Sequence, residues 1–319
     1  MNTMKAMQVK KPGRLMELVE VPVPVPAEKQ VLIEVETCGV CNGDSVTIEG
    51  NASHYPRIPG HEVIGTIAKM GSAVKDWTIG QRVGIGFHAG NGDINGSTID
   101  GGYAEYMLAK AENIVAIPES ISSQEASPLM CAGETTFSAL LNSMGKPGDL
   151  VAIQGIGGLG HLAVQYAKKL GFETAAISRG TAKKSLIEKL GADHYIDSSN
   201  DDPAEKLKQL GGAKVIVSTA PSSKAIKPLL KGLKRNGQLL LVSGSRESLD
   251  ISPSELLGKQ LSITGSFTDG KENIIKMLRF SVLNEVKPMI ELFPLEEANQ
   301  AYQKMKQSEV QFRAVLKIK

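Results

Sequence analysis

Apolar positions along this chain fall into two regimes. Up to about residue 125 they alternate with polar ones in short segments divided by Gly and Pro, as in Val31–Glu36, Val63–Ile67, Arg82–Ile85 and Tyr103–Leu108. That alternation predicts β-strands of a small barrel with irregular loops. Beyond that point, short apolar runs alternate with stretches of helical spacing. The runs Leu150–Ile153, Thr174–Ile177, His194–Asp197, Val215–Thr219, Leu239–Val242 and Leu261–Gly265 read as strands. Helices are expected between most of them, giving a doubly wound parallel sheet. They include Ala182–Leu190, Pro203–Leu210 and Lys224–Leu233, the last kinked at Pro228. Lys271–Leu283 and Pro294–Met305 read as further helices, Ala126–Met144 as helical segments, and Phe312–Ile318 as a strand returning to the first region.

Within the second regime, Leu150–Gly180 carries the strongest signal. A buried strand runs into Gly155, Gly157, Gly158, Leu159 and Gly160, then into a helix that ends near Gly171, then into a second strand. Gly155 permits the sharp turn, Gly157 lets backbone approach a pyrophosphate, and Gly160 lets helix pack close to strand. The free N–H groups of the helix start favour the anion. A site for NAD usually carries Asp or Glu at the end of the second strand, to hold the ribose 2′-hydroxyl. Here Ser178 and Arg179 stand there, with Lys183 and Lys184 close behind. Arg179 suits a 2′-phosphate, which favours NADP, with NAD as the alternative.

Composition narrows the picture. The 319 residues suffice for two domains. A net charge of +2 gives no broad electrostatic case for nucleic acid or a membrane surface. The N-terminal MNTMKAMQVKK lacks the apolar core of a signal peptide, so a cytoplasmic location is expected. Three cysteines, Cys38, Cys41 and Cys131, argue for metal or thiol chemistry rather than a disulfide framework.

Two clusters in the first region supply candidate ligands: Cys38-Gly-Val-Cys41-Asn-Gly-Asp44 and Pro59-Gly60-His61-Glu62. Alone, the Cys pair is compatible with a redox pair or with half of a structural zinc site. A catalytic zinc site needs three protein ligands, a number that Cys41, His61 and Cys131 fit, with Asp44 able to orient the His61 ring. The Gly/Asn/Asp-rich stretch Phe87–Gly102 reads as a mobile surface loop.

These motifs, with YPRIPGHE (Tyr55–Glu62), DGGYAEYM (Asp100–Met107), PLMCAGETTFSAL (Pro128–Leu140) and the terminal FRAVLKI, resemble the zinc-dependent alcohol dehydrogenases of the medium-chain dehydrogenase/reductase superfamily. The resemblance implies a GroES-like β-barrel catalytic domain, residues 1–125 and 284–319, interrupted by a Rossmann dinucleotide-binding domain, residues 126–283. It implies Cys41, His61 and Cys131 as ligands of one catalytic zinc, Glu62 as a carboxylate able to enter the coordination sphere, and Asp44 behind His61. It places Thr135 near the nicotinamide, Ser218, Val242 and Ser243 along the cofactor cleft, and Arg313 at the pyrophosphate. A homodimer or homotetramer acting on a small alcohol or aldehyde is implied. Two departures stand out. Residues 87–102 contain no cysteine where relatives carry a four-cysteine lobe, so no structural zinc is expected. Gly43 stands where the family has the Ser or Thr that starts a proton relay, leaving water, Ser45 or Glu62 to substitute. The competing readings are a zinc-free quinone or enone reductase of the same superfamily and a non-catalytic NADP-binding protein.

Overall fold

The structure, a computed structural model, describes residues 2–50, 52, 54–244, 247–268 and 270–319. It divides into two compact units, Met1–Glu134 with Thr268–Lys319, and Thr135–Phe267. The interruption therefore begins and ends inside the expected 126–283. Ser123–Pro128 packs on the strands Gln30–Val40 and Val63–Met70, and Lys271–Asn284 packs on the turn Leu129–Gly133 and on Val115–Ala116. Both helical segments bury their apolar sides in the first unit, a tertiary choice that helical periodicity alone does not encode.

The first unit is built on one long strand. Gln30–Val40 pairs antiparallel with Tyr106–Lys110 over its first half, with Arg313–Lys317 over its end and with Val63–Met70 along most of its length. Around it, Ile290–Pro294, Arg82–Ile85 and Val115–Ala116 extend the sheet to seven strands among the described residues. Val31, Ile33, Val35, Val63, Ile67 and Leu316 fill its core. Two strands not foreseen, Thr3–Gln8 and Glu17–Pro22, form a separate antiparallel ribbon.

The second unit holds six parallel strands. In spatial order these are His194–Asp197, Glu173–Ser178, Leu150–Gln154, Ala213–Ser218, Leu233–Leu241 and Ser262–Gly265. Numbered along the chain, that is 3-2-1-4-5-6, the doubly wound order whose direction reverses beside the glycine-loop strand. Leu150–Gln154 is buried throughout, as a central parallel strand covered on both faces should be.

Three local expectations are corrected. Lys224–Leu233 is a single turn of helix, Ser223–Ile226, followed by the 3₁₀ segment Lys227–Gly232, because Pro228 cannot donate the bond that would continue an α-helix. Pro294 ends a strand instead of starting a helix; the helix runs Ala298–Gln307. Residues 87–102 are not a featureless loop. His88–Gly90 and Asp93–Ile94 form a hairpin, and Asn95, 1% exposed, donates to the Gly86 carbonyl at 2.8 Å. No helix among the described residues is long and apolar enough to cross a membrane.

Candidate active site

Sheet register assembles the cysteine–histidine cluster. Val40 lies opposite Ala314 and Cys38 opposite Val63. The residues just beyond these pairs, Cys41, Arg313, His61 and Glu62, thus converge at one end of the sheet. The Gly39 N–H donates to the Glu62 carbonyl at 3.0 Å. A Cβ on Gly39 would lie 1.9 Å from Glu62 Oε2, so glycine makes the room in which that carboxylate sits. Cys131 arrives on a π-helical turn, Leu129–Gly133, directly after Pro128. Such widened turns recur at functional sites. The preceding helix is anchored at Ser122 by a capping box with Glu125, and Ser127 Oγ donates to the Glu62 carbonyl at 2.6 Å.

The outcome is a tight donor set. One ligand atom from each of Cys41, His61, Glu62 and Cys131 lies within 4.8 Å of the others. Cys41 Sγ and Cys131 Sγ are 4.0 Å apart. His61 is 2% exposed; its Nδ1 meets Asp44 Oδ1 at 2.9 Å while its Nε2 has no hydrogen-bond partner. A buried imidazole nitrogen left without a partner among two sulfurs and a carboxylate fits a divalent metal, and this soft nitrogen–sulfur donor set suits zinc. Asp44 Oδ2 in turn accepts from the Cys41 N–H at 2.9 Å and from the Tyr103 hydroxyl at 2.8 Å. Arg313, 3% exposed, donates to Glu62 Oε1 at 2.6 Å and also to Oε2.

Electrostatics follow from this crowding. Cys41 is held well below the usual thiol range, first by the Cys131 thiol that hydrogen-bonds to it and then by His61, against its burial. Cys131 is pushed up, by its hydrogen bond with Cys41 and then by burial. Burial opposes charge on His61, yet Asp44 and the Cys41 thiolate raise it overall. Burial drives the Glu62 carboxyl up to about 8, with Arg313 working against the rise. Cys38 is raised by burial and sits in the sheet as a packing residue.

In the second unit the glycines differ in what they spare. A Cβ on Gly160 would lie 2.0 Å from the Gly155 carbonyl oxygen, and one on Gly157 would meet nothing within 4 Å. The first position enforces close helix packing; the second opens onto free space at the start of the helix Gly160–Lys169. Gly155 takes φ +88°, with Thr219 Oγ1 donating to its carbonyl at 2.7 Å. Gly158 and Leu159 are half-buried in the same turn. Ser218 Oγ donates to Gln154 Oε1 at 2.6 Å, and the Val242 N–H donates to the Ser218 carbonyl at 3.1 Å, both at the carboxyl ends of the strands. Ser243 is half-buried and follows directly; Thr135 is 4% exposed in the helix Glu134–Leu141. Ser178 and Lys183 are half-buried and Arg179 is exposed.

Sequence reasoning missed the pairing of Arg313 with Glu62, residues separated by 251 positions. It also missed Tyr103, although Gly60, at φ +100° with room for a Cβ only 2.4 Å from the Tyr103 ring, hinted at a close approach. Ser45, one candidate substitute for the missing hydroxyl at Gly43, is half-buried at the start of the helical turn Ser45–Ile48.

A doubly wound nucleotide-binding sheet, joined in one chain to a barrel that carries a Cys-His-Cys cluster, defines a metal-dependent dehydrogenase class. Residues 27–119 match the alcohol dehydrogenase GroES-like domain family, and residues 158–282 the zinc-binding dehydrogenase family. Alcohol dehydrogenase notN of Aspergillus sp. (strain MF297-2) is 40% identical over 336 residues, covering 98% of each chain. An alcohol dehydrogenase of Geobacillus stearothermophilus is 34% identical over 340 residues, covering 99% of each. The crystal structure of the alcohol dehydrogenase from the archaeon Aeropyrum pernix superposes with a TM-score of 0.90 at 26% identity, covering 98% of this chain and 100% of that one. The chain belongs to the zinc-type alcohol dehydrogenases of the medium-chain dehydrogenase/reductase superfamily, a family of NAD(P)-dependent oxidoreductases.

Proposed function

We propose that this protein transfers a hydride reversibly between NADP(H) and a small alcohol/aldehyde pair, using one catalytic zinc per chain. The observation that carries the reading is the Cys41–His61–Glu62–Cys131 donor set with His61 Nε2 turned into it. Cys41, His61 and Cys131 would hold the metal, with Glu62 able to approach it; bound there, zinc supplies Lewis-acid polarisation of the substrate oxygen. The nicotinamide supplies or accepts the hydride.

The chain's own residues do the rest. Asp44 fixes the imidazole so that Nδ1 carries the proton and the Nε2 lone pair faces the sulfurs. Arg313 keeps the Glu62 carboxylate engaged at the back of the cluster. Gly43 offers no hydroxyl, so the alcohol proton is left to water, Ser45 or Glu62. Gly157 and the helix start at Gly160 would receive the pyrophosphate. Thr135, Ser218, Val242 and Ser243 would line the cofactor, and Ser178, Arg179 and Lys183 would meet the 2′-phosphate. An assembly of two or four copies belongs to the same reading.

Zinc content of protein purified without added metal, followed by turnover of an aldehyde panel with NADPH and NADH, tests it. One zinc per chain and faster turnover with NADPH are expected. Cys41→Ala and His61→Ala should abolish turnover and lose zinc while NADPH still binds; retained activity in either variant would overturn the site.

A further inference from the structure

The turn after the second strand of the nucleotide-binding sheet is held by residues of the third. Gly180 adopts φ +70°, so both of its peptide groups can face His194–Asp197. Its N–H donates to Asp197 Oδ1 at 2.7 Å, and its carbonyl accepts from the Tyr195 hydroxyl at 2.5 Å. The Ser198 N–H donates to the Ser178 carbonyl at 2.9 Å. Asp197 is heavily engaged: Oδ1 also accepts from the Ser199 N–H at 2.9 Å and Oδ2 from the Asn200 amide at 2.8 Å. Arg179, between the two tethered residues, stays exposed.

Two consequences follow for an arriving ribose. The carboxylate nearest this turn in the third strand already accepts three bonds from N–H donors, so little of it is left for a free 2′-hydroxyl. The groups left to meet the 2′ position are donors, Ser178 and Arg179, on a backbone already fixed in place. A fixed turn loses little conformational entropy when the ligand arrives.

Resting on the NADP reading above, we propose that Tyr195 and Asp197 are positioning residues for cofactor choice, a clamp that presents Ser178 and Arg179 to a 2′-phosphate. Tyr195 is the more informative half, because Phe keeps its volume and removes only the hydroxyl.

The test measures binding of two fragments, 2′,5′-ADP and 5′-AMP, by calorimetry to the wild type, Arg179→Ala, Tyr195→Phe and Gly180→Ala. The fragments differ only in the 2′-phosphate. Tyr195→Phe should weaken 2′,5′-ADP roughly 2- to 12-fold, the value of one neutral hydrogen bond, and shift 5′-AMP less than about twofold. Gly180→Ala, strained by its positive φ but free of steric contact, should act in the same direction. Equal shifts for both fragments, or none, in Tyr195→Phe and Gly180→Ala, with Arg179→Ala still selective, would overturn the clamp and leave the NADP reading standing. Wild type that binds both fragments equally, with Arg179→Ala unchanged, would overturn the NADP reading and the clamp with it.

Discussion

The two sites of this chain are made in opposite ways. The cysteine–histidine cluster is built from filled space: Asp44 takes bonds from Cys41 and Tyr103 while pairing with His61, and Glu62 is gripped through both oxygens by Arg313. The glycine turn is built from kept-open space, with nothing within 4 Å of where a Gly157 Cβ would sit. The first site holds its geometry by buried electrostatics, the second by the absence of side chains. A substitution in the first should therefore register as lost stability, and one at the open Gly157 of the second as lost affinity.

The sharpest break comes at the buried Glu62–Arg313 pair. Above the value of about 8 to which burial pushes the Glu62 carboxyl, Arg313→Met leaves that 0% exposed group ionised without its counter-charge and should cost about 3–5 kcal/mol, read as a fall in the denaturation midpoint at pH 9. A double variant, Glu62→Gln with Arg313→Met, should recover much of that loss.

Next is a pair of glycines three residues apart. Gly160→Ala drives a Cβ into the Gly155 carbonyl and should cost about 1–3 kcal/mol as the helix is pushed off its strand. Gly157→Ala should leave the melting temperature unchanged or slightly raised, because it meets nothing and restricts the unfolded chain. Its effect should appear in cofactor binding, measured by fluorescence titration. If Gly157→Ala melts the fold instead, the contrast between the sites fails.

Gly43 belongs to the filled site. A Cβ there would lie 2.9 Å from His61 Cε1 and 3.3 Å from Nε2. Gly43→Ser, which restores the family's hydroxyl, should displace the ring and speed zinc loss to a chelator rather than raise turnover. Zinc content after dialysis and the rate of aldehyde reduction separate the two outcomes.

The smallest effect lies at the edge of the same region. Glu49 is held below the usual carboxylate range, first by Lys306 and then by Tyr302. Because its folded value is depressed, its contribution is present above the unfolded carboxylate pKa and disappears as pH falls through the folded one. Lys306→Met should flatten that acid limb, by less than about 1 kcal/mol since the pair is half-exposed. Urea denaturation between pH 3 and pH 6 checks it.

Local pattern carried the nucleotide-binding half well, because a βαβ unit closes on itself within about thirty residues and its glycines mark the turn. Cys41, His61 and Cys131 were legible through their motifs. What held them was not. The partners of Glu62 and Asp44 come from Arg313 and Tyr103, and only the register of the strand Gln30–Val40 brings such distant segments together. The hairpin within residues 87–102 was hidden for a different reason: its order rests on Asn95 donating to the Gly86 carbonyl and Thr98 Oγ1 accepting from the Ile94 N–H, and both residue types are common in unstructured loops.

The strand Gln30–Val40 also imposes a timetable. Its last neighbour in the sequence, Arg313–Lys317, emerges from the ribosome only after the whole of Thr135–Phe267 has been synthesised. Until then Glu62 has no counter-charge and Cys41 ends a sheet that lacks its closing strand. Cys41, His61 and Cys131 are thus all translated before the nucleotide-binding unit, while the strand and the counter-charge that back their cluster come last.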